Sequence, residues 1–528
     1  MPLVPMPPAS HAVLLATLAL LATPGVLRPH LRVEHAQKAG SRLWTDVTKS
    51  ALGPTAGWTN KVEIADINGD SRPDLLFANG GNYSEPGPLE MSGAFVNTGN
   101  GLTFLNRSEQ ILGKSGDLAR VIKARDLNAD GFTDILVGTT YQRQSRLYLG
   151  LGKGEFREVT ATHLPAILLS AGDLEFGDVD NDGDLDAVLA DWGRGNNMVN
   201  DGGRTRLWLN DGNARFTDAT DERMPPTLIR FSWDVELADV DNDYDLDVLV
   251  SCKRCGNSTL FRNNGKGTFT EDLRAIPQYT NNYEFEAMDL DGDGFLDLVT
   301  INDGEIVGEV SSSRREHVFR NDGKGRFRDA TDAWWPAAAN VGEDDNMVAF
   351  LDYDSDGDAD FVVGSLSGPD RLLVNDGRGR LSLLPDVFEG EPTPGTLGIA
   401  LADLDGDGRM DVVQAQGEHP KATDERIFSG QGLARDTAPP SITLVATTEG
   451  SPRSVRARIH DRKSPSLPFE WKRVVVEWQT PQGVKEVPMQ WYGEYLWRAV
   501  WPADVPATSA YRICATDLTG NAACASSG

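Results

Sequence analysis

Seven copies of one acidic nonapeptide, each set between two apolar runs, predict an all-β chain. A hairpin pattern recurring between the copies and a C-terminal stretch of alternating residues complete the expectation. The predicted fold is a seven-bladed β-propeller with calcium-binding loops over residues 41–435, followed by a β-sandwich over residues 437–528. A length of 528 residues accommodates one large repeat fold and a small partner, and 40 % apolar content supports packed cores.

The nonapeptides read DINGDSRPD, DLNADGFTD, DVDNDGDLD, DVDNDYDLD, DLDGDGFLD, DYDSDGDAD and DLDGDGRMD. Asp or Asn stands at positions 1, 3, 5 and 9 of every copy. The candidate metal ligands of the first three are Asp66, Asn68, Asp70 and Asp74; Asp126, Asn128, Asp130 and Asp134; and Asp178, Asp180, Asp182 and Asp186. The next two copies offer Asp239, Asp241, Asp243 and Asp247, then Asp289, Asp291, Asp293 and Asp297. The last two offer Asp352, Asp354, Asp356 and Asp360, then Asp403, Asp405, Asp407 and Asp411. Ca²⁺ takes about six to eight oxygens at about 2.3–2.6 Å, which alternate residues of a tight loop can supply, so up to seven Ca²⁺ are expected. Glycine at position 6 lets the loop curl; Ser71 and Tyr244 depart, which predicts two strained or differently shaped loops. Asn68 and Asn128 lower the charge of the first two sites. No copy has Glu at position 12, so these are not EF-hands.

The chain carries 79 Asp+Glu against 50 Lys+Arg, a net charge of −29. That excludes a nucleic-acid partner and disfavours an anionic membrane. The loops hold as many aspartates as this excess, so the acidity reads as a ligand set.

Between the loops run RLYLGLGKGEFREVT, RLWLNDGNARFTDAT, TLFRNNGKGTFTEDL, HVFRNDGKGRFRDAT and the weaker RLLVNDGRGRLSLLP. Each is an apolar strand, an Asn/Asp-Gly turn and an aromatic-led strand, which gives four strands per repeat. The final repeat lacks that aromatic strand; residues 43–48, LWTDVT, are predicted to supply it as the outer strand of the last blade.

These loops and hairpins resemble the FG-GAP/VCBS repeats of integrin α-subunit heads and of bacterial and cartilage-acidic-protein-like secreted proteins, over about residues 41–435. The resemblance implies a calcium-binding propeller, and an integrin-like, cell-adhesion type of role. It does not single out a ligand, because such folds host adhesins, lectins and accessory domains of enzymes. The C-terminal strands VRARIHD, RVVVEWQT, YLWRAVWP and YRICATDLTGNAAC resemble an immunoglobulin or fibronectin type III sandwich, read as a spacer or sorting module rather than a ligand-specific domain.

Residues 12–22 form an apolar run too short to span a bilayer, which predicts a signal peptide over residues 1–25 and a secreted, extracellular or periplasmic protein. No later stretch is long enough for a transmembrane helix, and a monomer is expected. Cys514 and Cys524 are expected to pair; Cys252 and Cys255 form a small staple or two thiols.

The loops join strands 1 and 2 of each repeat, so all seven share one face. The longest connections, 79–93, 191–205, 302–316 and the milder 416–425, share the opposite one. In integrin heads, which the repeats resemble, the latter face binds ligand. A glycan or protein ligand is therefore expected there, with Tyr83, Trp192, Trp233, Tyr279, Tyr283, Trp334 and Trp335 either stacking on sugars or packing between blades. No GxSxG, HExxH or Gly-rich phosphate loop marks an enzyme, and of the seven histidines only His317 and His419 fall near this face. A catalytic alternative, a polysaccharide lyase or hydrolase, rests on Glu63, Glu175, Glu236 and Glu286, which recur three residues before the loops with Lys123 in the second repeat.

Overall fold

A computed structural model describes residues 42–526 except 83, 197–198, 254, 256–257, 303–304, 308–309, 313–314, 391–394, 418–422 and 449–451. The expected signal peptide, Tyr83 and His419 lie outside the described residues. The described residues all belong to one compact unit.

Among the described residues the strands form nine four-stranded antiparallel sheets and two two-stranded ribbons. Seven of the nine carry an acidic loop each. The first consists of Thr59–Ala65, Asp74–Asn79, Gly93–Asn97 and Phe104–Asn106, with the loop between its first two strands. The seventh runs Thr396–Ala402, Asp411–Gln416 and Arg426–Ser429, and its fourth strand is Thr45–Asp46 from the other end of the chain, paired Thr45 to Ser429 and Asp46 to Phe428. This strand lies where the residue pattern LWTDVT puts it.

The expectation of one closed seven-bladed propeller is corrected. Every hydrogen-bonded ladder stops at four strands, the sheets stay separate, and no sheet closes into a barrel. Neighbouring repeats are joined by side-chain packing and a set of asparagines. Asn210, Asn263, Asn321 and Asn375, at the hairpin turns, donate Nδ2 hydrogen bonds to the carbonyls of Leu127, Val179, Val240 and Leu290 in the preceding loop. Asn97 makes the same bond to Leu404, from the first repeat to the seventh, at 2.8 Å.

Within a repeat, the Thr or Ser after the aromatic strand starts a four-residue helix and accepts a hydrogen bond from the third strand. Leu147 N–H donates to Thr160 Oγ1 (3.0 Å), Leu207 N–H to Thr220 Oγ1 (3.0 Å) and Val318 N–H to Thr331 Oγ1 (3.1 Å). This explains the recurrent Thr of the hairpin motif.

The C-terminal module has two four-stranded sheets. One holds Ser441–Thr448, Ser454–His460, Leu496–Val500 and Gln490–Gly493; the other holds Gly483–Pro488, Trp471–Thr480, Tyr511–Asp517 and Ala522–Ser526. They share a core of Ile459, Val476, Trp478, Trp497 and Ile513. Disulfides join Cys514 to Cys524 across paired strands and Cys252 to Cys255 in a tight loop. Among the described residues no helix is long and apolar enough to cross a membrane.

Candidate functional site

Each acidic loop is built by its own aspartates. The position-1 carboxylate gathers the loop backbone: Asp289 accepts N–H bonds from Gly292 (2.9 Å), Asp293 (3.1 Å) and Gly294 (2.9 Å). The position-5 carboxylate accepts the N–H two residues on, as Asp293 does from Phe295 at 3.0 Å. The remaining oxygens converge. Asp178, Asp180 and Asp186 bring ligand atoms within 4.8 Å of one another; so do Asp239, Asp241 and Asp243, and Asp289, Asp291 and Asp297. Asp352, Asp354 and Asp356, and Asp403, Asp405 and Asp411, do the same. An all-oxygen, anionic set of this kind suits a hard divalent cation. In the first two loops the amides of Asn68 and Asn128 donate to Asp70 and Asp130, at 3.2 and 3.1 Å, so these loops offer less negative charge.

The position-9 aspartates also have a structural role. Asp411 accepts from Leu404 N–H (3.0 Å) with one oxygen and from Gly430 N–H (2.8 Å) with the other, which pins the loop to the third strand. Asp74, Asp134 and Asp360 do likewise, and all are buried. Burial pushes Asp411 up to about 8 and Asp186 up to about 9, with the neighbouring aspartates adding to the rise. Asp352 is raised to about 7, again chiefly by burial. Carboxylates held this reluctantly as anions gain from a bound cation.

Position 6 does not differ where glycine is missing. Ser71 and Tyr244 sit at φ 63° and 69°, in the same left-handed region as Gly294 at 90°. The two loops keep the common shape and carry the strain of a Cβ there. Position 4 makes the same demand with a weaker signature: Gly69, Gly292 and Gly406 stand there in three copies, while Ala129 and Ser355 are left-handed at 56° and 61°.

The face bearing the loops is not free. Four arginines of the C-terminal module enter it. Arg498 pairs with Asp178 of the third loop. Arg456 donates to Asn181 Oδ1 (2.8 Å) and to the carbonyl of Tyr244 (3.0 Å). Arg458 donates to the carbonyls of Asp239 (2.7 Å) and Gly294 (3.0 Å), and Arg462 to that of Gly357 (2.5 Å). Tyr492 and Tyr495 add hydroxyl bonds to the carbonyls of Tyr244 (3.1 Å) and Ala287 (2.9 Å). The spacer reading of this module is thus corrected: it docks on loops three to six. Arg456 and Arg458, two residues apart on one strand, share a face, and that alternation was the available signal. Beside the first two loops the docking leaves a cleft of about 480 Å³, walled by Phe132, Phe469 and Trp491.

The recurrent acids Glu63, Glu175, Glu236 and Glu286, with Lys123, line one cavity of about 90 Å³ between the first strands of the sheets. Lys123 pairs with Glu175 and Arg125 with Glu63, while Lys61 lies 3.5 Å from Asp173 and 3.9 Å from Asp234.

On the opposite face the expected aromatic platform is mostly interior. Trp192, Trp233, Tyr283 and Trp335 are buried. Trp192 stacks on Phe231 at 4.7 Å, and Arg120 and Lys253 lie 3.6 and 3.7 Å above the Trp233 ring. Tyr279 packs on His317, whose imidazole burial pushes down to about 4. This face also holds a cavity of about 390 Å³ between the connections of the first three repeats, lined by Ser84, Glu85, Tyr141, Gln142, Ser170 and Asn196. Tyr141 leans edge-on against Trp192 at 5.8 Å, and its buried hydroxyl has no hydrogen-bond partner.

The family model of the FG-GAP-like repeat matches residues 126–189, 197–250, 245–300 and 352–413. An FG-GAP-like repeat region is present. The matched segments of this repeat region take in the second to seventh loops. The integrin-like and cell-adhesion readings are withdrawn, because the match is to the repeat alone and the sheets lack the closure on which those readings rested. No curated protein matches the chain. A solved structure of an α-L-arabinanase from Penicillium chrysogenum, complexed with arabinobiose, aligns at 11 % identity over 74 % of this chain and 98 % of that one. Its TM-score is 0.36, too low to bear on activity.

Proposed function

We propose that this chain is an exported, monomeric, calcium-loaded protein that binds a carbohydrate through the face opposite its acidic loops. Calcium occupies the loops and fixes the repeats; the saccharide occupies the cavity around Tyr141. The observation that carries the reading is the Tyr141 hydroxyl, buried without a partner, on a residue lining a mixed cavity in which Ser84, Gln142, Ser170 and Glu85 offer polar groups beside the apolar Pro86 and Val199. A sugar ring presents hydroxyls to such groups and its C–H face to an aromatic ring. The C-terminal module supports the choice of face by covering much of the other. The two disulfides and the short apolar leader support export.

The test is a panel of neutral and acidic oligosaccharides titrated by calorimetry against wild type and Tyr141→Phe in calcium. Binding that weakens about tenfold in the variant, the order of one hydrogen bond to a buried partner, supports the reading. Failure of every sugar, or equal affinity in both proteins, overturns it.

A second reading, cleavage of a polysaccharide at the same cavity, is favoured by the charges that face Tyr141. Burial pushes its phenol up to about 12, Arg120 pulls it down and Glu85 pushes it further up. At about 12 the phenol keeps its proton at neutral pH, so in this reading Tyr141 serves as a proton or hydrogen-bond donor and not as a base. The same panel, followed for new reducing ends or unsaturated products, separates the two readings.

A further inference from the structure

We propose that the cavity between the first strands binds a divalent cation through Glu236, Glu286 and Glu494, a site outside the seven loops that ties two repeats to the C-terminal module. Charge gives the first indication. The cations in and beside this cavity of about 90 Å³ are already engaged: Lys123 with Glu175, Arg125 with Glu63, Lys61 with Asp173 and Asp234, and Lys463 with Glu470 at 2.7 Å. Glu284 accepts the Val348 N–H at 2.8 Å. Glu236, Glu286 and Glu494 have no cation of their own among the described ion pairs.

Geometry supplies the second observation. Glu236 is 7 % exposed, and its Oε1 is buried with no hydrogen-bond partner; Oε1 of Glu494 is in the same state. All three groups line this one cavity. The strongest charge acting on Glu236 is Glu494, followed by Glu286, and the strongest acting on Glu494 is Glu286. Glu236 and Glu286 come from the first strands of the fourth and fifth sheets, Ser232–Ala238 and Asn282–Met288. Glu494 comes from the C-terminal module, in the turn between Gln490–Gly493 and Leu496–Val500. Buried lone pairs without partners are costly, and three carboxylates brought together by separate elements repel. One hard cation satisfies all three, and its oxygen-only donor set selects Ca²⁺, Mg²⁺ or Mn²⁺ over softer metals. Protons are the competing answer, since carboxylates this close can share them instead.

The experiment uses the full chain. Wild type, Glu236→Gln/Glu494→Gln and the loop control Asp289→Asn are loaded with Mn²⁺, freed of excess metal and counted by inductively coupled plasma mass spectrometry. The expected result is one ion fewer per chain in the double variant, with its melting point in EDTA equal to or above that of wild type. An unchanged count overturns the site and leaves protons as the answer. If the double variant does not fold, anomalous scattering from Mn²⁺-soaked wild-type crystals decides. A peak beside Glu236 and Glu494 supports the site, and peaks confined to the loops refute it.

Discussion

Arg458 and Asp239 form an ion pair at 3.6 Å in which each side chain is only about 1 % exposed, so the C-terminal module reaches the first carboxylate of the fourth loop deep in the interior. The same guanidinium donates to two loop carbonyls. Docking and the proposed cation binding therefore draw on one set of groups. Replacing Arg458 by Met removes a buried partner and leaves Asp239 uncompensated, at a cost of about 3–5 kcal/mol in metal-free protein. A cation in the fourth loop compensates Asp239, so denaturant titration in calcium should show a smaller loss. Equal losses with and without calcium would show that module and loop are independent.

Asn97 ties the first repeat to the seventh through Leu404 and also holds the carbonyl of Pro73 at 3.1 Å. Asn97→Ala removes both bonds and strands a buried carbonyl. Urea unfolding should show a loss of about 2 kcal/mol. The exposed neighbour Asn100 provides the control, with Asn100→Ala expected within about 0.5 kcal/mol of wild type.

Ser71 occupies a left-handed conformation at no benefit to its side chain. Ser71→Gly should stabilise the protein by about 1 kcal/mol, the cost of an L residue there, less the entropy that glycine adds to the unfolded chain. Gly294→Ala should move stability the other way by a similar amount. A Ser71→Gly variant less stable than wild type in thermal melts contradicts the strain assigned to this loop.

His460 is buried against Tyr495, and its Nδ1 accepts the Arg462 N–H at 3.2 Å. Burial pushes the imidazole down to about 3, with Arg462 and Arg458 adding to the fall. Its unfolded value is 6.5, so between these values the unfolded chain holds the extra proton. The stability due to neutral His460 is full above pH 6.5 and is lost as pH falls. Going from pH 6.5 to 5 should cost about 2 kcal/mol from this residue. His460→Gln should remove that share of the acid loss; a variant with an unchanged pH slope shows that His460 does not titrate on unfolding.

Much of this architecture is written in short-range pattern. Oxygens at positions 1, 3, 5 and 9 mark the loops, apolar runs on either side mark the strands, and residues 43–48 mark the strand that completes the seventh sheet. Period and spacing show these because each loop is a local object. The rest depends on contacts between distant segments. That Asp411 and its equivalents staple the third strand, that Trp192 and Trp233 lie inside, and that four arginines of the C-terminal module enter the loop face follow from tertiary placement, which a repeat pattern does not encode. A closed propeller over-extends that pattern: four strands per repeat are legible, but how sheets meet is settled by side chains such as Asn97 and Asn321.

Whether the acidic loops are cation sites that hold the repeat region together is decided by native mass spectrometry with a paired thermal melt. In calcium the chain should carry at least the five ions for which the loops Asp178–Asp186, Asp239–Asp243, Asp289–Asp297, Asp352–Asp356 and Asp403–Asp411 bring carboxylates together. EDTA should strip these ions and lower the melting point by about 10 °C. A metal-free mass in calcium, with a melting point that EDTA leaves unchanged, refutes this role for the loops.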